Sequence, residues 1–251
     1  MRVKQLNVIF AFMMLFQVCW PGISSAQGKM TYAHVPRNYK TIQGAVNFGC
    51  RYDRPLTILV AANLYEESFT VAGKFCDITI KPRYEGNLVT ILNSDPGYVI
   101  RVTDGAKVRL LDLTLKNYTP PYGPYDSAVL VERNSTLVMR NNHVDFAGHG
   151  VSAISAKVEI VGNYFRGPGP TISDPYAEFG YRGSGAMGVL LLGPVVSRVS
   201  AVIGGNHFVD LDTAVDNSET AGVYPLSLRK GHGTGDSNTY LNVLALVNHG
   251  D

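Results

Sequence analysis

Asp145 and Arg166 are the residues whose type and spacing most invite chemistry. Each stands three positions after an Asn, Asn142 and Asn163, and each of those Asn residues closes the same short phrase. The phrase has apolar residues at every second position, then a turn, then a His or aromatic residue. It reads Leu137-Val138-Met139-Arg140-Asn141-Asn142-His143, Val158-Glu159-Ile160-Val161-Gly162-Asn163-Tyr164 and Ala201-Val202-Ile203-Gly204-Gly205-Asn206-His207. If the phrases stack as strands, Asp145 and Arg166 stand about 4.8 Å apart. A guanidinium at that distance favours the ionised carboxylate. Such an Asp serves either as a held nucleophile or as half of a surface ion pair.

The same alignment puts His143, Tyr164 and His207 in one column. These side chains can contact a ligand, exchange protons with it, or simply cover a corner of the fold. Two His separated by a Tyr stand too far apart to chelate one metal, so no metal site is expected, and no cofactor is expected either. Two Pro- and Tyr-rich stretches interrupt the repeat, residues 119–126 with Tyr122 and Tyr125, and 167–182 with Tyr176 and Tyr181. Rigid loops with flat amphipathic rings stack on pyranoses, pack against a protein partner, or fold back over a sheet. Asp174, Glu178 and Arg182 add polar groups able to orient a ligand.

The elements that position these residues follow from the spacing. The Asn positions lie 21 and 43 residues apart, one unit and then one unit with an insertion. A repeat of this length is the mark of a solenoid. The period of two within each phrase is a strand signature, and each unit carries an earlier strand, at Ser127 to Val131, Gly150 to Ile154 and Ala186 to Leu192. Units of strands and turns without helices predict an all-β, right-handed, single-stranded parallel β-helix. The Asn is expected at the corner, in the left-handed conformation it tolerates, with its amide bonded to the next coil. Asn117 reads as an earlier member of this ladder, although its apolar positions are offset by one.

Before the repeats, Thr41 to Phe48 puts Ile42, Ala45 and Val46 on one helical face, a cap for the open end of the solenoid. A short polar lead precedes it. Leu56 to Val60, Glu67 to Val71 and Asp77 to Ile80 read as the first coils. Lys230 to Asn238 is Gly-rich, and Tyr240 to Val247 returns as a closing strand that either has its own cover or meets a partner.

The stretch Tyr39-Lys40-Thr41-Ile42-Gln43-Gly44-Ala45-Val46, followed by Ile58-Leu59-Val60 and Asn63-Leu64-Tyr65-Glu66-Glu67, resembles the opening of pectin lyase-like right-handed β-helices, nearest to pectin methylesterases. The resemblance implies that fold for most of the chain and a polysaccharide substrate. The methylesterase family's nucleophile lies in Asp-Phe-Ile-Phe-Gly, with an upstream Gln-Asp and a downstream Leu-Gly-Arg-Pro-Trp. Here Val144-Asp145-Phe146-Ala147-Gly148 shares only Asp, Phe and Gly, and the other two motifs are missing. The pectate lyase pattern of clustered carboxylates and Trp-Ile-Asp-His is missing too.

Composition sets the surroundings. Residues 1–26 have Arg2 and Lys4, an apolar run from Val8 to Trp20, and small residues at Ser24-Ser25-Ala26, the anatomy of a secretory leader. The run is shorter than the roughly twenty residues that span a bilayer, so no membrane segment is expected. Removing the leader takes two basic residues and no acidic one, which leaves the mature chain formally neutral. Net charge therefore gives no argument for a basic surface toward nucleic acid or an acidic polymer, local patches staying open, and no nucleic-acid partner is expected.

Cys50 and Cys76 survive processing; in an exported protein they pair most simply with each other, the alternative being two buried thiols. Asn117-Tyr118-Thr119 and Asn134-Ser135-Thr136 match the glycosylation pattern. The expectation is one β-helix domain over 27–251, secreted or periplasmic, that binds or modifies a polysaccharide or oligosaccharide. The alternative is a non-catalytic assembly component that meets a protein partner in the cell envelope.

Overall fold

The computed structural model describes residues 31–93, 95–118, 126–169, 186–193, 200–217, 226–228 and 238–248. The leader at 1–26, the loop tyrosines Tyr122, Tyr125, Tyr176 and Tyr181 with Asp174, Glu178 and Arg182, and residues 230–237 lie outside them. Within the described residues the chain forms a parallel β-helix with one α-helix, as expected.

Each coil carries three strands in a fixed order. The first row comprises Thr31–Val35, Leu56–Val60, Asp77–Pro82, Lys107–Leu111, Thr136–Arg140, Lys157–Val161, Ser200–Gly204 and Leu226–Leu228. The second comprises Asn63–Glu66, Val89–Asn93, Thr114–Asn117, His143–Phe146 and Tyr164–Arg166. The third comprises Phe69–Ala72, Ile100–Thr103, Ser127–Glu132, His149–Ile154 and Met187–Leu192. The long strand His207–Asp216 runs through the second and third rows and joins them, and Thr239–Asn248 pairs along it in parallel. The second-row strands are the part of the coil that sequence reading took for a corner. The supposed polar lead is likewise a strand, Thr31–Val35, in register with Leu56–Val60.

Alternation along each strand fills the interior. In the first row Ile58, Ile80, Leu110, Met139, Ile160 and Ile203 stand in consecutive register, all fully buried. Each such side chain contributes about 1.5–3 kcal/mol by leaving water. No residue makes this core alone; a coil buries its apolar edge only against its neighbours.

The Asn ladder is present, with a correction to its backbone. Asn163 Oδ1 accepts from the backbone N–H of Asn142 (2.9 Å) and from its Nδ2 (2.9 Å), and Asn206 Oδ1 accepts likewise from Asn163 (2.8 and 3.1 Å). Asn238 continues the series above Asn206 (3.0 and 3.1 Å). The left-handed residue is the one before each Asn: Asn141, Gly162 and Gly205, at φ 56°, 68° and 64°. That turn aims the Asn amide along the solenoid axis, where it serves two coils at once.

Asn117 is not a ladder member. Leu113 holds the ladder position, its N–H donating to Asn142 Oδ1 (3.1 Å), while Asn117 pairs in register with Asn93 and Phe146. Asn117 is buried and its Nδ2 donates to the Gly97 carbonyl (2.9 Å), which leaves Asn134 as the exposed glycosylation sequence of the two.

The helix Ile42–Gly49 covers the first coil, burying Ile42, Ala45 and Val46 as its spacing required. Thr41 caps it, with Oγ1 accepting from the Gly44 N–H at 3.0 Å, and Glu67 Oε1 accepts from the Ile42 N–H at 2.8 Å. Gln43 mimics a strand: its Oε1 accepts from Thr70 N–H (2.8 Å) and its Nε2 donates to the Thr70 carbonyl (3.1 Å). It thereby closes the free edge of the third row. A Cys50–Cys76 disulfide ties the end of the helix to the residue just before the first-row strand Asp77–Pro82, with the two Cα atoms 4.5 Å apart.

Candidate functional site

The second row positions the candidate residues. Leu115, Val144, Phe165 and Phe208 point inward and are fully buried, so their neighbours on each strand point outward. Two outward columns result: Thr114, His143, Tyr164, His207 and Thr239 in one, and Lys116, Asp145 and Arg166 in the other. His143 and Asp145, two apart on one strand, share a face.

Asp145 is the centre of this group. Its Oδ1 accepts from Arg166 Nε at 2.9 Å and contacts His143 Nε2 at 2.9 Å, and its Oδ2 lies 3.9 Å from Lys116 Nζ. The Asp145 side chain is only 5% exposed, against 49% for Arg166, 41% for His143 and 32% for Lys116. A buried anion thus holds three outer heads in register. The hydrogen bond that Arg166 donates to Asp145, and then the charge of Asp145, push the Arg166 guanidinium above its ordinary range, so it stays cationic.

This geometry constrains the chemistry. A carboxylate with one oxygen engaged twice and the other facing an ammonium presents little lone-pair surface to an incoming electrophile. Arg166 uses Nε on Asp145, and its side chain is 49% exposed. A guanidinium fork suits a carboxylate or another planar anion.

The ring column has its own orientation. His143 and Tyr164 are stacked with centroids 4.6 Å apart at 23°, and Tyr164 and His207 are 6.4 Å apart at 37°. Rings stacked along the solenoid axis turn their faces to each other, which leaves their edges for polar contacts such as that of His143 Nε2 with Asp145. The column therefore offers hydrogen-bonding edges, where a flat face for a pyranose would need a ring turned outward. His207 Nδ1 contacts Thr239 Oγ1 on the next strand. The exposed Tyr118 stands close enough to influence Arg166 electrostatically.

Sequence reading missed Lys116, which shares the Asp145 column. The signal was present: Leu113 and Leu115 repeat the spacing of Asn142 and Val144, but alignment on Asn117 shifted the coil. It also missed a polar cluster outside the third row. A Cβ at Gly150 would lie 2.7 Å from Phe165 and 2.5 Å from the Gly188 carbonyl, so that position faces inward, as does the fully buried Val151 next to it. Two inward neighbours in succession break the alternation beside His149, and Ser152 on the same strand is fully buried. His149 is 5% exposed, and burial lowers its imidazole to about 4 against the opposing pull of Asp126 and Asp216. In the same row Glu132 Oε1 accepts from Arg101 Nε (2.9 Å) and Thr103 Oγ1 (3.2 Å).

No protein-family model matches the chain, and no curated protein matches it. Among solved structures it is similar to a pectin methylesterase from carrot, with 14% identity, 88% of this chain and 84% of that chain covered, and a TM-score of 0.36. It is also similar to a pectin methyl esterase of the rice weevil, with 13% identity, 88% and 89% covered, and a TM-score of 0.42. The fold itself rests on the strand register described above.

Proposed function

We propose that this is an exported single-domain protein, residues 27–251, that binds an acidic polysaccharide or oligosaccharide along the outward face of its second row. The observation that carries the reading is the arrangement at Asp145: one buried carboxylate fixes Arg166, Lys116 and His143 side by side at the surface. Within this cluster two cations, Lys116 and Arg166, stand against one anion, Asp145, a local excess of positive charge, while Glu66 stands two coils from Lys116 in the same column. Arg166 and Lys116 supply charge for acidic groups on the glycan, and the edges of His143, Tyr164 and His207 supply hydrogen bonds to its hydroxyls. In this reading Asp145 positions its neighbours and is not a nucleophile. The Cys50–Cys76 disulfide supports an oxidising compartment outside the cytosol. Among the described residues no helix is long and apolar enough to cross a membrane.

Surface plasmon resonance on immobilised acidic and neutral glycans tests the reading. Binding confined to acidic glycans and weakened at least tenfold by Arg166→Ala is the expected result. Equal binding to neutral glycans, unaffected by Arg166→Ala and Lys116→Ala, would refute it. Tyr122, Tyr125, Tyr176 and Tyr181 remain proposed contacts, tested by the same assay with Tyr176→Ala.

A further inference from the structure

Two stretches match the Asn-x-Thr acceptor pattern, Asn117-Tyr118-Thr119 and Asn134-Ser135-Thr136, and the fold treats them oppositely. An oligosaccharide linked to Asn is bulky and needs that Asn at the surface. Asn117 fails the condition. It ends the second-row strand Thr114–Asn117 at 2% exposure, in register with the buried Phe146, and its Nδ2 donates to the Gly97 carbonyl at 2.9 Å. A sugar on that nitrogen would break the bond and unseat the coil.

Asn134 meets the condition. It lies in the turn from the third row to the first, between Ser127–Glu132 and Thr136–Arg140, where Arg133 and Asn134 take left-handed backbone at φ 54° and 61°. The backbone of this turn is held in place: Asn134 N–H donates to the Ser155 carbonyl (2.9 Å), Ser135 N–H to Glu132 (3.2 Å) and Thr136 N–H to Ala106 (2.8 Å). Ser135 is fully buried, and its Oγ accepts from the Gly105 N–H at 3.1 Å. On one side of it Asn134 is exposed. On the other, Thr136 stands one place before the inward, fully buried Leu137, so it faces outward. The acceptor amide and the hydroxyl two residues later are thus both at the surface, on a rigid frame.

Space around the amide is built in as well. Register sets Gly105, which has no side chain, against Asn134 in the preceding coil. The matching connection in the following coil, Ser155-Ala156, is one residue shorter. Among the described residues none forms a hydrogen bond with the Asn134 side chain.

We propose that Asn134 is an N-glycosylation site of the exported protein. The Asn134 amide nitrogen attacks the anomeric carbon of an oligosaccharide carried on a lipid diphosphate, the donor that a transferase of the export pathway supplies. A C–N bond forms, the C–O bond to the diphosphate breaks, the diphosphate leaves, and the amide gives up one proton. The turn lies across the coil from the second row, so the glycan leaves the face of Arg166 and Lys116 open.

Peptide mapping by mass spectrometry of the protein purified from its native source provides the test. The expected result is an oligosaccharide mass on the Asn134 peptide and none on the Asn117 peptide. Expressed in the same source, Asn134→Gln and Thr136→Val should both be exported at the unmodified mass, while Thr136→Ser should keep the glycan. Thr136→Val retains the Asn and a β-branched side chain, so its loss of the glycan reports the acceptor hydroxyl rather than misfolding. An Asn134 peptide at its unmodified mass in the wild-type protein overturns the proposal. A glycan that persists in Thr136→Val, or one found on Asn117 in its place, overturns it as well.

Discussion

Lowering the pH should destabilise this protein through His149. The imidazole is buried and its pKa is lowered from 6.5 to about 4. Removal from water is the larger influence; the carboxylates of Asp126 and Asp216 and the Asp126 backbone pull the other way and lose. Above pH 6.5 the ring is neutral in both folded and unfolded chains, and it contributes no pH dependence. As pH falls below 6.5 the unfolded chain takes up a proton that the folded chain refuses, so stability drops by about 1.36 kcal/mol per pH unit. The loss levels off near pH 4, where the folded protein also charges, at a total of roughly 3 kcal/mol. Urea unfolding of the wild type and His149→Gln, measured from pH 7.5 to 3.5, isolates this contribution, because other titrating groups cancel in the difference. The difference should be flat above pH 6.5, fall toward pH 4 and then flatten. A difference that stays flat throughout would refute the reasoning. So would one in which the wild type gains stability as pH falls, since that result would mean the two carboxylates outweigh burial.

Two further perturbations test the architecture. Asn163→Ala removes an acceptor for two donors of Asn142 and a donor to the Met139 and Val161 carbonyls; with about 1–3 kcal/mol for each orphaned buried group, the loss should reach about 3–5 kcal/mol in chemical denaturation. A loss below about 1 kcal/mol would show that the ladder does not hold the coils together. Replacing Cys50 and Cys76 together by Ala opens a loop of sequence separation 26, and the chain-entropy estimate gives a loss of about 3.5 kcal/mol. Unchanged stability against urea, with and without reductant, would contradict a structural role for the bridge.

The solenoid was legible because its signal is local and repeated: period-two apolar positions, a turn, an Asn, and the same again one coil later. The stacking of Asp145 on Arg166 and of His143, Tyr164 and His207 in one column followed from register alone. Three things did not follow. The second-row strands are three to four residues long in the relevant coils, too short for alternation to declare them, so they passed for a corner. Asn117 drew the alignment because Asn is conspicuous, although Leu113 and Leu115 carried the true register. His149 lies beside Gly150, whose Cβ position faces inward, and a single Gly in a strand does not say which way its neighbours turn. Whether Asp145 attacks a substrate or anchors cations is likewise a matter of which oxygens are engaged, and no spacing reports that.

The central claim, that the second-row face holds an acidic glycan without altering it, is met most directly by native mass spectrometry. The mature protein and Arg166→Ala would be presented with acidic, esterified and neutral oligosaccharides, and each complex weighed. The account predicts a complex between the wild-type protein and acidic oligosaccharides at their intact mass, lost or strongly reduced in Arg166→Ala. Complexes that form equally with neutral sugars and ignore Arg166→Ala would contradict it. Loss of methyl or acetyl mass, or shortened chains, abolished by Asp145→Asn would contradict it too, and would make Asp145 catalytic.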